Sequence, residues 1–283
     1  ATGEEPHNTN EKVIMTRPGA NKEWKEVARF GQKEGNFLPI DILPDGKTAV
    51  GLSDVVTDTN ALTTMNLATG EISVMAEHPE TDLSPIMSIR NGRANEVIGA
   101  AYEYDNIDTV FFTDIEDEYF AKVVQSLTNA FPNASVNINS ATLDNSKIVL
   151  SVSSANHPRE FYLFDAEKRA LSLIIKSKPW LDKEEIPQTE IISYKARDGL
   201  TIKALLTLPK GQKAEDLPLI LLPHGGPHGP RDSLTALNPD AKVLAEHGYA
   251  VLQPNFRGSG GYGREFLQSG YKNWGTTMIN DMT

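Results

Sequence analysis

The clearest fold signal in this chain of 283 residues lies at residues 217–232, which read LPLILLPHGGPHGPRD. The continuous apolar run Leu219–Leu222 predicts a strand that is buried on both faces of a sheet. The strand ends at Pro223, and the loop that follows, residues 224–227, contains two consecutive glycines. Because glycine has no Cβ, the backbone N–H groups of such a loop can approach a ligand closely. The loop therefore either binds a ligand or only turns the chain towards the next helix.

The segments on either side of this loop predict an α/β sheet. Upstream, Glu190–Lys195 and Thr201–Leu208 have the pattern of strands around a tight turn. Downstream, a helix is predicted over Leu234–His247, where Gly248 ends it, and Tyr249–Pro254 predicts a further buried strand. Alternation of strand, helix and strand is how an α/β sheet begins. In hydrolases built on such sheets, a glycine loop of this kind supplies one N–H group to the oxyanion hole.

Residues 13–175 have a different pattern, in which short strand-like runs alternate with turn sequences. Turns recur at Asp45, Asn91 and Asn145, with spacings of 46 and 54 residues, near the period of roughly 40–50 residues that is typical of propeller blades. About three blades are therefore predicted, fewer than the four to eight that usually close a propeller. One helix is predicted over residues 117–131, because apolar residues recur there at helical spacing.

Composition and charge exclude several classes of partner. Hydrophobic residues make up 39% and charged residues 23% of the chain, and no window approaches the ~20 apolar residues of a membrane span. Residues 1–175 contain 14 basic and 26 acidic residues, and such an acidic surface repels phosphate backbones. We therefore expect no membrane and no nucleic-acid partner. The compartment stays open between the cytoplasm and the periplasm.

The sequence predicts neither a cofactor nor a metal. The chain has no cysteine, which excludes thiolate sites, and its six histidines have no metal-ligand spacing. Gly258, Gly260 and Gly263 match the G-x-G-x-x-G pattern of dinucleotide-binding loops. That match is rejected because Arg257 directly precedes the glycines and no clear acidic residue follows on a second strand.

Three segments resemble the start of the catalytic domain in the prolyl oligopeptidase family of serine peptidases. They are HGGPHGPRD at 224–232, GYAVLQPNFRGSGGYGREF at 248–266 and NWGTTMINDM at 273–282. Within the family, the likeness is strongest to the acylaminoacyl-peptidase and dipeptidyl-aminopeptidase branch. KPWLD at 178–182 and SYKARDGLTIKALLTLPKG at 193–211 resemble the entry of that branch into the same domain.

The resemblance implies a fold and a division of the chain. Residues 1–180 are expected to form a β-propeller-like all-β region of about three blades, and residues 181–283 the first part of an α/β-hydrolase domain. No G-x-S-x-G motif, which would mark the nucleophile, occurs in the chain. The chain is therefore expected to be a fragment that ends before the catalytic Ser, Asp and His and is inactive alone. A triad of Ser233, His228 and Asp232 is rejected, since neighbours on one loop rarely converge.

The resemblance also implies roles for residues of the two loops. Gly226 would donate its backbone N–H to the oxyanion, and Tyr262 would donate its hydroxyl, unless its ring only packs. His224 and Arg257 would brace the loop. The other residues expected beside the site are Gly225, Pro227 and Gly258.

The leading expectation is that the full-length protein is a serine peptidase that cleaves short peptides from their N-terminal side, with the propeller restricting access. One alternative is an esterase or another α/β-hydrolase, because the fold hosts many chemistries. A second is a propeller-type binding protein without catalysis. Exposed sheet edges in the fragment also predict self-association.

Overall fold

The computed structural model describes residues 2–4, 11–31, 33–89, 96–113, 115–226 and 228–283. Four antiparallel sheets, called sheets I to IV, precede residue 180, and a mixed sheet V follows. Sheet I comprises β1 (Thr2–Glu4), β2 (Lys12–Thr16) and β3 (Lys25–Phe30); sheet II comprises β4 (Phe37–Ile42), β5 (Thr48–Ser53), β6 (Ala61–Asn66) and β7 (Ile72–Ala76). Sheet III comprises β8 (Ser84–Met87), β9 (Val97–Glu103) and β10 (Ile107–Phe111), and helix α1 (Glu118–Asn129) follows it.

Sheet IV comprises β11 (Ser135–Ala141), β12 (Lys147–Ser154), β13 (His157–Asp165) and β14 (Ala170–Lys176). Sheet V comprises β15 (Gln188–Lys195), β16 (Thr201–Leu208), β17 (Leu219–Leu221) and β18 (Ala250–Asn255), with helix α2 (Pro239–Glu246) before β18. Helices α3 (Arg264–Ser269) and α4 (Thr277–Asn280) end the chain. None of the helices in the described ranges is long and apolar enough to span a membrane.

The hairpins of sheets I to IV follow from local turn chemistry. Between β4 and β5, the Asp45 carboxylate accepts hydrogen bonds from Lys47 N at 2.8 Å and Thr48 N at 3.0 Å. Gly46 has a φ of 65°, in the left-handed region that glycine adopts without a steric penalty. The predicted turn at Asn91 lies outside the described residues. About three blades were predicted before residue 180. The described residues there form four sheets, because sheet I precedes the first predicted repeat.

Helix α1 confirms the helix predicted over residues 117–131. The Asp117 side chain caps its first turn by accepting a hydrogen bond from Phe120 N at 3.3 Å. Phe120 and Val124 are buried against Ile98 of sheet III and Ile148 of sheet IV. The helix is therefore a packing element between two sheets.

Sheet V confirms the predicted fold class, an all-β region followed by the start of an α/β sheet. Its order is β15-β16-β18-β17, with only β17 and β18 parallel. Two predictions were wrong in detail. Within the described residues, the strand at 219–222 is not covered on both faces, since Leu219 is 59% and Leu221 38% exposed; β17 also lies at the sheet edge. The helix predicted from Leu234 begins at Pro239, because the Asn238 side chain caps it there. The domain boundary after residue 180 stays a prediction.

A buried lysine joins sheet V to the end of sheet IV. Lys242 of α2 is 5% exposed, and its Nζ donates to Pro187 O at 2.6 Å, Thr189 Oγ1 at 2.6 Å and Asn156 Oδ1 at 3.1 Å. All three acceptors are uncharged. Burial lowers the pKa of Lys242 to about 8, because desolvation disfavours the ammonium form.

The low pKa of Lys242 predicts a pH dependence of stability. Between about pH 8 and pH 10.4 the unfolded lysine binds more protons than the folded one, so the free energy of unfolding rises with pH in that window. We expect the free energy of unfolding of the wild type, measured relative to that of Lys242→Met, to rise by up to about 3 kcal/mol between about pH 7.5 and pH 10.4. Urea titrations of both proteins measure it. A difference that stays constant with pH would contradict the prediction.

Candidate active site

The glycine loop after β17 carries an unoccupied backbone donor. Gly226 has a φ of 147°, and a Cβ added there would lie 3.2 Å from His228 N, so the position favours glycine. Its N–H donates to no other described residue. Gly225 is exposed, and Pro227 lies outside the described residues. Among the described residues the Gly226 N–H therefore has no acceptor, and its role at an oxyanion stays a prediction.

His224 joins this loop to the one that follows β18. Its ring stacks on Phe256, with centroids 4.6 Å apart, and its Nε2 lies 2.8 Å from Ser259 Oγ. Its Nδ1 lies 2.7 Å from Gly225 O. The His224 ring thus bridges the two loops and contacts Gly225, the residue next to Gly226. This arrangement is the one expected of a residue that braces the loop.

The backbones of the two loops are also bonded directly. Gly229 N donates to Gly258 O at 3.0 Å, and Gly260 N lies 3.2 Å from Gly229 O. A Cβ added at Gly260 would lie 2.3 Å from Gly229 O, so only glycine allows this approach. Gly258, which was expected beside the site, is one of the residues that hold the loops together.

Tyr262 presents a hydroxyl proton that no described residue accepts. Its oxygen accepts a hydrogen bond from Asn255 Nδ2 at 2.8 Å, and Asn255 is buried at the end of β18. The ring lies under the Arg231 guanidinium, 4.5 Å from its centroid, and against the edge of Phe266. Burial raises the pKa of Tyr262, so the hydroxyl stays protonated at neutral pH and can donate.

Arg257 braces a different part of the structure from the one expected. Its Nε and Nη2 bond the two carboxylate oxygens of Asp281 at 2.7 and 2.6 Å, and Nη2 also bonds Asp198 Oδ2 at 2.7 Å. Within the described residues its side chain forms no hydrogen bond with the loop at 224–226. Arg257 therefore fixes the start of the second loop to α4 and to the β15–β16 turn.

The three neighbours rejected as a triad bond other partners. Ser233 Oγ lies 2.6 Å from Glu103 Oε2, and His228 Nε2 accepts from Trp274 Nε1 at 2.9 Å. Asp232 Oδ1 accepts from Gln253 Nε2 at 2.8 Å. Among the described residues, no group of three or more His, Asp or Glu side chains could hold a metal ion.

Sequence reasoning missed the residues that position Tyr262. Asn255 and Arg231 lie inside the segments that carry the resemblance, but neither was expected beside the site. Glu103, which bonds Arg231 at 2.8 Å, had no recognisable motif. Glu103 and Arg231 line a cavity of about 880 Å³ that lies between sheets II to IV and residues 231–236 and is also lined by Gly261.

Comparisons with known proteins agree with this architecture. Residues 236–283 match the model of the prolyl oligopeptidase family. The chain is 27% identical over 279 residues to dipeptidyl aminopeptidase BIII of Pseudoxanthomonas mexicana, covering 95% of this chain and 39% of that protein. It is 31% identical over 189 residues to dipeptidyl peptidase family member 6 of Caenorhabditis elegans, covering 59% of this chain and 25% of that protein.

A solved structure gives the same fold. The puromycin-hydrolyzing peptidase of Mycobacterium tuberculosis matches with a TM-score of 0.66 at 13% identity, over 97% of this chain and 42% of that one. The chain thus spans about two fifths or less of the length of these proteins.

Proposed function

We propose that the full-length protein is a serine peptidase of the prolyl oligopeptidase family that cleaves short peptides through an acyl-enzyme. The match of residues 236–283 to the family model and the similarity to dipeptidyl aminopeptidase BIII support this proposal. The nucleophilic serine and its base would lie outside residues 1–283. Residues 1–283 would supply the donors of the oxyanion hole and part of the cavity that admits the substrate. Alone, they would not catalyse the reaction.

One observation carries this proposal: two hydrogen-bond donors without acceptors lie on adjacent loops. The Gly226 N–H and the Tyr262 O–H are both free among the described residues. Acyl transfer from a peptide builds negative charge on the carbonyl oxygen, and donors fixed in advance stabilise that charge in the transition state. A neutral tyrosine and a backbone amide can both donate without a change of protonation.

The cavity supports short peptides as the substrate class. Its volume of about 880 Å³ suits a short peptide, since small-ligand pockets are typically about 300–1,000 Å³. Sheets II to IV form its wall opposite residues 231–236, so they would exclude folded proteins. The names of two relatives, a dipeptidyl aminopeptidase and a dipeptidyl peptidase, support release of dipeptides from the amino terminus.

Labelling with a fluorophosphonate serine probe tests the proposal. We expect the full-length protein to be labelled on one serine outside residues 1–283, and residues 1–283 alone to stay unlabelled. Labelling of Ser233 or another serine within residues 1–283 would place the nucleophile inside the chain and contradict the proposal. If neither protein is labelled, the binding-protein alternative is favoured. Hydrolysis of p-nitrophenyl esters without hydrolysis of dipeptide p-nitroanilides would favour an esterase.

A further inference from the structure

A carboxylate of sheet III holds the segment that follows the glycine loop. Glu103, at the end of β9, is 8% exposed. Its Oε1 accepts from Arg231 Nη2 at 2.8 Å and from Leu234 N at 3.1 Å, and its Oε2 lies 2.6 Å from Ser233 Oγ. One buried side chain of the all-β region thus satisfies three donors of the hydrolase-like region.

The Arg231 side chain extends this contact to Tyr262. Its guanidinium lies 4.5 Å from the centroid of the Tyr262 ring, and its Nη1 is 3.4 Å from Gly261 O. A Cβ added at Gly261 would lie 2.2 Å from Nη1. A side chain at residue 261 would therefore displace the guanidinium from its present position over the ring. Glu103 sets the orientation of the Arg231 guanidinium, because it accepts a hydrogen bond from the other terminal nitrogen, Nη2.

The same corner of the all-β region holds the backbone of the Tyr262 loop. Gly261 O accepts from Asp82 N at 3.0 Å and lies 2.9 Å from Thr81 Oγ1. Thr81 Oγ1 also lies 2.8 Å from the backbone oxygen of Glu103. The all-β region thus fixes Tyr262 at two points. Glu103 fixes its ring through Arg231, and residues 81 and 82 fix the carbonyl group of the preceding residue, Gly261.

We propose that Glu103 is a positioning residue for the oxyanion hole. Through Arg231 it fixes the Tyr262 ring, and so it sets where the Tyr262 hydroxyl lies relative to the Gly226 N–H. This inference rests on the proposed function, because it gives Glu103 a role in that reaction. An oxyanion donor acts only within about 2.7–3.1 Å of the developing charge, and a misplacement of about 1 Å costs on the order of 100-fold in rate.

A purely structural role for Glu103 makes a different prediction, and Asn156 offers the matched control. Asn156 Nδ2 donates to Thr189 O at 2.8 Å, and its Oδ1 accepts from Thr189 N at 2.7 Å. Like Glu103, it links the all-β region to the residues after 180 through several hydrogen bonds. Within the described part of the chain it forms no hydrogen bond with Arg231 or with the Tyr262 loop.

The test uses the full-length protein and a dipeptide p-nitroanilide. We expect Glu103→Ala to lower kcat about 10- to 100-fold while KM changes less than about 3-fold. Glu103→Gln should retain kcat within about 5-fold, because its amide oxygen can still accept from Arg231 and Leu234. Asn156→Ala should leave kcat unchanged in assays run well below its melting temperature.

A double-mutant cycle shows whether the effect passes through Tyr262. In the Tyr262→Phe background, Glu103→Ala should lower kcat by less than about 3-fold. If Glu103→Ala does not fold, Arg231→Met breaks the same ion pair and should be equally non-additive with Tyr262→Phe. An active wild type with an unchanged kcat in Glu103→Ala, or with additive effects, would overturn the inference alone. A wild type that neither labels nor hydrolyses peptides would overturn the proposed function, and this inference with it.

Discussion

Replacing Tyr262 by phenylalanine is expected to lower kcat of the full-length protein about 100- to 1,000-fold, with little change in KM. The substitution keeps the ring under Arg231 and against Phe266 and removes only the hydroxyl. The loss falls on kcat because the hydroxyl proton has no acceptor in the described residues and would bond the oxyanion only in the transition state. Steady-state hydrolysis of a dipeptide p-nitroanilide measures both constants.

Tyr162→Phe is the matched control for this substitution. The Tyr162 hydroxyl donates to Glu160 Oε2 at 2.5 Å, within β13, so its removal should leave kcat unchanged. Equal kcat values for Tyr262→Phe and wild type would mean that Tyr262 only packs. Because burial raises the pKa of Tyr262, its hydroxyl stays protonated at neutral pH. Loss of activity at or below neutral pH would therefore have to come from another group.

Asp281→Ala is expected to lower the free energy of unfolding by about 3–5 kcal/mol, which urea titration measures. The Asp281 carboxylate is fully buried and accepts from the Arg257 side chain at both oxygens and from Arg257 N at 3.0 Å. Among the described residues, its removal leaves the buried guanidinium with one carboxylate, that of Asp198, whose side chain is 49% exposed. Loss of the buried partner of a buried charge is what makes this change costly.

The second partner of Arg257 supplies the comparison for this prediction. Asp198→Ala removes a carboxylate that is half exposed to water, and ion pairs with an exposed partner contribute little to stability, so a much smaller loss is expected. The two variants remove the same chemical group from the same arginine and differ mainly in burial. Similar losses of stability in both would contradict the assignment of Asp281 as the structural partner.

Local causes explain the elements that could be predicted from the sequence. The β4–β5 hairpin depends on Asp45, whose carboxylate bonds the backbone two and three residues later. Helix α1 depends on the cap at Asp117 and on an apolar stripe within one segment. In both cases the groups that interact are neighbours in the sequence, so their pattern is visible without the structure.

The predictions that were wrong depended on groups elsewhere. The apolar run at 219–222 was interpreted as buried on both faces, but a face of a strand is buried only where another element packs against it. Within the described residues, Leu219 stays 59% and Leu221 38% exposed. The start of α2 was placed at Leu234 from its apolar spacing, whereas the cap at Asn238 and the following Pro239 begin the helix.

The candidate site was predictable only in part for the same reason. Gly226 and Tyr262 lie in glycine-rich motifs, and those motifs pointed to both donors. Glu103 lies 128–131 positions before the residues that it bonds. No local pattern marks such a contact, because it forms only when sheet III meets the loop after β17.

The order of strands in sheet V also has a consequence for synthesis on the ribosome. Within the described part of the chain, β17 pairs only with β18, which begins at Ala250, 29 residues after Leu221. At a translation rate of about 5–20 residues per second, roughly 1–6 s pass between the two strands. During that time the nascent apolar segment LPLILL at 217–222 has no strand to pair with. Until β18 is made, this segment is therefore exposed to aggregation with other chains.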